Sequence, residues 1–212
     1  MPQVKATISI ENVVASATLN QKIDLISIVK CCSDIQYKLV DGDPVWRSTK
    51  CSVAKGDPDI EYKPKDFPGL VFRLRRPKTT ALIFKSGKMV CTGVKSTKEA
   101  RRAVMNVIKE LKKSGIIIIG KPEFKIQNIV ASGNLGGMAD LERVADMLKR
   151  HTMYEPEQFP GLIYRMDAPK VVILLFASGK LVCTGAKNEE DVYIAVDKLH
   201  ELLEQANVIE YE

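Results

Sequence analysis

Residues 67 to 95 read FPGLVFRLRRPKTTALIFKSGKMVCTGVK, and residues 159 to 187 read FPGLIYRMDAPKVVILLFASGKLVCTGAK. The two stretches align without a gap and are identical at seventeen of 29 positions, which marks an internal duplication. Working outward, IENVVASATL (10 to 19) matches IQNIVASGNL (126 to 135), and Asp24-Leu25 matches Asp140-Leu141. The offset between copies is 116 at Asn12 and Asn128 but 92 at Phe67 and Phe159, so the first copy carries about 24 extra residues. They fall roughly from Asp34 to Asp59 and include the turn signals DGDP and KGDPD. The repeats divide as 1–120, with this insertion, and 121–212, with the junction at Lys121-Pro122.

Within each copy the order reads strand, helix, several strands, helix. Short β-rich runs such as TTALIF and KMVCTGV predict strands, with SGK as the hairpin turn. Ser96 with Glu99 forms a capping box ahead of Ala100, Val104, Val107, Ile108 and Leu111 at helical spacing. Asn188 caps the matching helix, whose stripe is Val192, Val196, Leu199 and Leu203. Shorter stripes, Leu25, Ile28, Val29 and Leu141, Val144, Leu148, predict the first helices. Two helices per copy cover one sheet face. An antiparallel sheet with a wet second face alternates apolar and polar residues. Here the second parity also carries Val71, Leu82, Phe84 and Val90, and VVILLF (171 to 176) is apolar at both. That face needs a partner; a second sheet or a dimer would also cover it.

The composition, 45% hydrophobic and 27% charged over 212 residues, is that of a globular protein and excludes a disordered chain. No run approaches a membrane span, and the N-terminus lacks a secretory pattern, so the expected location is cytoplasmic. Five cysteines, with Cys31 and Cys32 adjacent and no C-x-x-C, read as reduced thiols. A net charge of +6 favours an acidic partner, nucleic acid above all. SGNLGG (132 to 137) lacks the Lys-Ser/Thr of a phosphate loop and reads as a strand-to-helix turn. Cys91 and Cys183 read as core, His151 and His200 have no catalytic partner by spacing, and nothing supports a metal or a nucleophile.

The duplicated motifs resemble the TATA-box-binding protein family over nearly the whole chain outside the extra segment. FPGL in both copies, with EPEQFPGLIYRMDAPK in the second, is similar to the archaeal type. The resemblance implies an α+β fold, two tandem pseudo-symmetric repeats forming a curved antiparallel saddle with helices on its convex face. It implies a non-enzymatic transcription factor without cofactor. In this family DNA is bent by wedging the minor groove, a mechanism carried over here from the family. The intercalating phenylalanines match Phe67 and Phe84, and Phe159 and Phe176, both pairs 17 residues apart. An inserted ring offsets lost stacking, which costs about a few kcal/mol per step, by burying aromatic surface.

The family's central polar residues match Asn12, Asn128, Thr92 and Thr184, suited to the minor-groove acceptors of A·T pairs. Its apolar contact positions match Val14, Val130, Val90, Val182, Leu82 and Leu174, and its phosphate contacts match Arg73, Arg165, Lys78 and Lys170. The implied partners are TATA-box duplex DNA, transcription factor B and, through it, the RNA polymerase pre-initiation complex. Glu155 and Glu157 are the expected factor B contacts, where the first copy has Lys63 and Lys65. A homodimer of the free protein, a promoter-selective paralogue, nuclear location in a eukaryotic source and the role of the insertion stay open. Rival readings are a DNA glycosylase, which would need a base-flipping pocket with a catalytic Asp or Lys, and a protein-binding module using the apolar face.

Overall fold

The computed structural model describes residues 5–30, 34–48, 59–113 and 115–211. The chain divides into two compact units, Val13–Ile126, the N-unit, and Met1–Asn12 with Gln127–Glu212, the C-unit. The unit boundaries differ from the repeat boundaries because they fall inside two strands, β1 (Thr7–Thr18) and the strand Glu123–Asn134. In the C-unit the Thr7 hydroxyl donates to the Asn134 carbonyl at 3.5 Å, and Ser132 donates to Glu11 at 2.8 Å.

The N-unit continues through α1 (Leu25–Lys30), β2 (Gln36–Val40), β3 (Asp43–Ser48), β4 (Asp59–Tyr62), β5 (Leu70–Arg75), β6 (Lys78–Ile83), β7 (Lys88–Val94) and α2 (Thr97–Lys113). Its strands lie in the order β1-β7-β6-β5-β4-β3-β2, each antiparallel to the next. Alternation sets the faces. In KTTALI of β6, Thr79, Ala81 and Ile83 are buried while Thr80 and Leu82 stay partly open. The buried parity joins Leu25, Ile28 and Val29 of α1 and Val104, Val107, Ile108 and Leu111 of α2 in one core. The expected cap of α2 forms: the Glu99 amide donates to Ser96 Oγ at 3.1 Å. The Glu99 carboxylate accepts from the Lys95 amide at 3.2 Å, one residue earlier than the standard box.

The C-unit comprises β8 (Glu123–Asn134), most of which lies in it, with β9 (Met138–Ala139), α3 (Leu141–Leu148), β10 (Thr152–Met153), β11 (Gly161–Met166), β12 (Val171–Phe176), β13 (Lys180–Ala186), α4 (Glu189–Gln205) and β14 (Ile209–Glu210). Its order is β10-β11-β12-β13-β8, with β14 paired to β9 separately. Asn188 accepts from the Asp191 amide at 2.7 Å, the expected cap of α4. Glycines in the left-handed region, Gly87 (φ 80°) and Gly179 (φ 71°), make the two SGK turns. Cys91 and Cys183 are fully buried at equivalent strand positions, and burial pushes their thiols up to about 12 and about 11.

The extra segment, whose role the sequence leaves open, is in its described part integral to the sheet. DGDP is the turn of a β-hairpin: Val40 pairs with Asp43 around Asp41 (φ 52°) and Gly42 (φ 82°), the geometry that Asp-Gly favours. β3 then pairs with β4, so the hairpin extends the N-unit sheet by two strands. Trp46 packs against the N-unit core, stacked on Tyr62 at 5.7 Å and 5.6 Å from Tyr37. Buried Ser48 donates to Asp34, tying the end of β3 to the start of the segment. The KGDPD turn, except Asp59, and Cys31, Cys32 and Cys51 lie outside the described residues.

Candidate nucleic-acid interface

Cross-strand registers assemble the face opposite the helices. In the N-unit one row runs Ser16, Val90, Leu82, Val71, Glu61, Arg47, Gln36, each paired with the next. In the C-unit the matching row runs Ser132, Val182, Leu174, Ile163, Met153. Residues of this parity are only partly covered, so Leu82, Val90, Leu174 and Val182 form an apolar strip on each unit. Ile163 and Met153 belong to the strip and were not singled out from sequence, although period-2 counting from Leu174 and its partner strand identifies them. A parallel row holds Thr92, Thr80 and Arg73 in the N-unit and Val130, Thr184, Val172 and Arg165 in the C-unit. Val14 is half-buried between fully buried Val13 and Ala15, next to a register shift in β1.

Each unit brings its phenylalanine pair together. Phe67 and Phe84 meet edge to face with centroids 5.8 Å apart, and Phe159 and Phe176 at 5.9 Å. The sequence explains the approach. A Cβ on Gly69 would lie 2.6 Å from a Phe67 ring carbon and 3.0 Å from one of Phe84, and on Gly161 the corresponding distances are 2.7 and 3.0 Å. The FPG motif thus supplies the ring and the empty space beside it. Backbone turns fix the loops alike: the Phe67 amide donates to Lys63 O and the Phe159 amide to Glu155 O, both at 2.9 Å. Phe159 is 38% exposed, a costly position for a ring without a partner.

The polar centre is built at a bulge in the C-unit. Asn128 donates from Nδ2 to Thr184 Oγ1 at 3.1 Å, and its Oδ1 accepts from the Gly185 amide at 2.7 Å. The register shifts between Thr184 and Ala186, and Gly185 takes φ 100° to permit it. In the N-unit, Thr92 is half-buried beside the equivalent Gly93 (φ 99°). Asn12, the counterpart of Asn128, is half-buried and falls in the C-unit's share of β1.

The charged positions differ between units. Arg73 lies 3.6 Å from Asp59 and 3.5 Å from Glu61, and Glu61 also takes Arg47 at 2.9 Å and Lys63 at 3.2 Å. Burial works against ionising Glu61, but the bonds and charges of Arg47 and Lys63 outweigh it and hold the carboxyl below its usual range. Arg165 is exposed and makes no ion pair among the described residues. Lys78 and Lys170 are exposed at the starts of β6 and β12. Glu155 and Glu157 are exposed in the turn before Phe159, whereas Lys63 and Lys65 are neutralised by Glu61 and, at 2.7 Å, Asp43.

A tandem α+β fold with two glycine-backed aromatic pairs on open apolar strips defines a surface-recognition protein. The comparisons specify which. The family model for transcription factor TFIID (or TATA-binding protein, TBP) matches residues 50–114 and 123–206. The TATA-box-binding protein of Pyrodictium occultum is 50% identical over 205 residues, covering 97% of this chain and 90% of its own. That of Archaeoglobus fulgidus is 48% identical over 197 residues, covering 92% and 94%. Among solved structures, Methanococcus jannaschii TBP is similar with a TM-score of 0.73 at 43% identity, covering 93% of this chain and 98% of that one. The chain belongs to the TATA-box-binding protein family, whose members are DNA-binding transcription factors and not enzymes.

Proposed function

We propose that this protein is a general transcription initiation factor that binds the TATA box in the DNA minor groove and bends it by inserting Phe67 with Phe84 at one base step and Phe159 with Phe176 at another. The observation that carries the reading is the glycine-backed pair in each unit, edge to face and standing on an open apolar strip. A ring wedged between base pairs replaces the stacking it disrupts, and the strips of Leu82, Val90, Leu174 and Val182 exclude water from the floor of the opened groove. Asn12, Asn128, Thr92 and Thr184 meet the N3 and O2 acceptors of A·T pairs, where a guanine amino group would collide. Val14 and Val130 flank them, and Arg73, Lys78, Arg165 and Lys170 contact phosphates, which sets affinity and register but carries no sequence information.

Glu155 and Glu157 engage basic residues of transcription factor B, which brings RNA polymerase to the promoter. The apolar strip and the wedge need each other: without bending, a flat strip cannot follow a narrow groove, and without the strip the bend gains little contact area. The test is a duplex carrying a TATA box, with fluorophores at its ends, titrated with the full chain. Tight binding accompanied by a fall in end-to-end distance is expected, and equal affinity for a G·C-only duplex would contradict the reading.

A further inference from the structure

We infer that Asp59 and Glu61 are a built-in brake on DNA binding by the N-unit, two carboxylates that compete with phosphate for Arg73, Arg47 and Lys63. The inference rests on the reading of this face as the DNA-binding surface. Register places both acids on that face: Asp59 pairs with Arg73, and Glu61 pairs with Val71 on one side and Arg47 on the other. All three cations reach them, at distances of 2.9 to 3.6 Å. For Arg73 to hold a phosphate, it must leave two carboxylates that then stand near a polyanion.

The C-unit lacks the device. Its row reaches the edge of the sheet at Met153, the register equivalent of Glu61, and Arg165 makes no ion pair among the described residues. The hairpin deepens the difference. By pairing β3 with β4 it delivers Arg47 to Glu61, which keeps the carboxylate ionised and fixed in place on the face. The cations of these pairs stay open to solvent, Arg47 at 60% and Arg73 at 43% exposed, and ion pairs screened by water are individually weak, so exchange of carboxylate for phosphate is accessible; the acids therefore weaken the grip without abolishing it. Because counterion release follows the number of phosphates neutralised, the brake also flattens the salt dependence. The consequence is an intrinsic inequality of grip, with the C-unit holding the backbone by an unencumbered arginine.

The test compares the wild-type chain with the D59N/E61Q double variant and with M153E, which places an acid at the matching position of the C-unit. Affinity for one TATA duplex is measured across a salt series, with thermal melts to establish folding. D59N/E61Q is expected to bind roughly three- to tenfold tighter near physiological salt, with a salt slope steeper by about one to two. M153E is expected to bind more weakly by a similar factor. If D59N/E61Q binds no tighter, the carboxylates serve only to position Arg73 and the inference is overturned; if that variant does not fold, M153E decides by itself, and unweakened binding by it overturns the inference. Absence of wild-type binding would overturn the functional reading together with this one, whereas wild-type binding with unchanged variants overturns this one alone.

Discussion

At their phenylalanine pairs the two units are nearly the same object: centroid separations of 5.8 and 5.9 Å, interplanar angles of 65° and 64°, and a glycine beside each pair with no room for a Cβ. At the outer edges of their sheets they diverge. The N-unit continues past β4 into a two-stranded hairpin braced by Trp46 and a cluster of ion pairs, while the C-unit stops at the two-residue strand β10 with Met153 exposed. The difference separates what geometry compels from what it leaves free. A wedge depends on close approach of ring and backbone, and one methyl group in the wrong place would displace it. An edge strand only has to end without offering a sticky ladder, and extension, charge or brevity all achieve that.

The largest expected effect concerns the loops before the two FPG motifs. Glu155→Lys with Glu157→Lys should leave binding to a TATA duplex largely intact while eliminating the ternary complex with transcription factor B in a mobility-shift assay, because like charges at a docking surface disfavour the partner. Normal ternary assembly would mean that these loops do not distinguish the units. Lys63 and Lys65 sharpen the point: both are already paired with acids, so the N-unit loop is closer to neutral than its sequence suggests.

A smaller effect separates the hairpin from a loop. Trp46→Ala should destabilise the N-unit by about 2–3 kcal/mol, below the usual range for a fully buried tryptophan because this one is only partly covered. Urea unfolding followed by circular dichroism measures it. In the wild type Trp46, the only tryptophan, reports N-unit unfolding by fluorescence. A change within about 0.5 kcal/mol would make the segment a surface appendage and not part of the N-unit's packing.

Salt dependence follows. With Arg165, Lys78 and Lys170 making no ion pair among the described residues and Arg73 shared with carboxylates, the proposed interface would neutralise three to four phosphates, and log affinity should then fall against log salt with a slope of about −3 to −4. A slope beyond about −8 would describe a mainly electrostatic interface and contradict the apolar strips. Smallest of all is a difference expected to vanish: Cys91 and Cys183, with thiols pushed up to about 12 and about 11, should resist alkylation at pH 8 equally in the native protein. Peptide mapping by mass spectrometry separates them from the other three cysteines, and rapid labelling of either would remove it from the core.

Much of this was legible in the sequence because the chain states its pattern twice. Duplication turned a lone Phe159, ordinarily a core residue, into one of four matched positions, and the parity of Leu82, Val90, Leu174 and Val182 exposed an apolar face without helices to cover it. The caps of α2 and α4 were readable because Ser96 and Asn188 act locally. The hairpin was not, since it occurs once and its strands are short; DGDP declared a turn, but only the pairing of β3 with β4 and the stacking of Trp46 on Tyr62 make it part of the sheet. The capture of Arg73 was equally hidden, because Asp59 and Glu61 are distant from it in sequence and become neighbours only through register.

The most direct test of the wedge is the end-to-end distance of a doubly labelled TATA duplex bound to Phe159→Ala/Phe176→Ala and, separately, to Phe67→Ala/Phe84→Ala. Each double variant removes one pair and leaves the other unit as an internal reference. Either variant is expected to lose a large part of the bend and to bind more weakly by about a few kcal/mol, the scale of one unstacked step. A full wild-type bend with either pair removed would contradict the wedge.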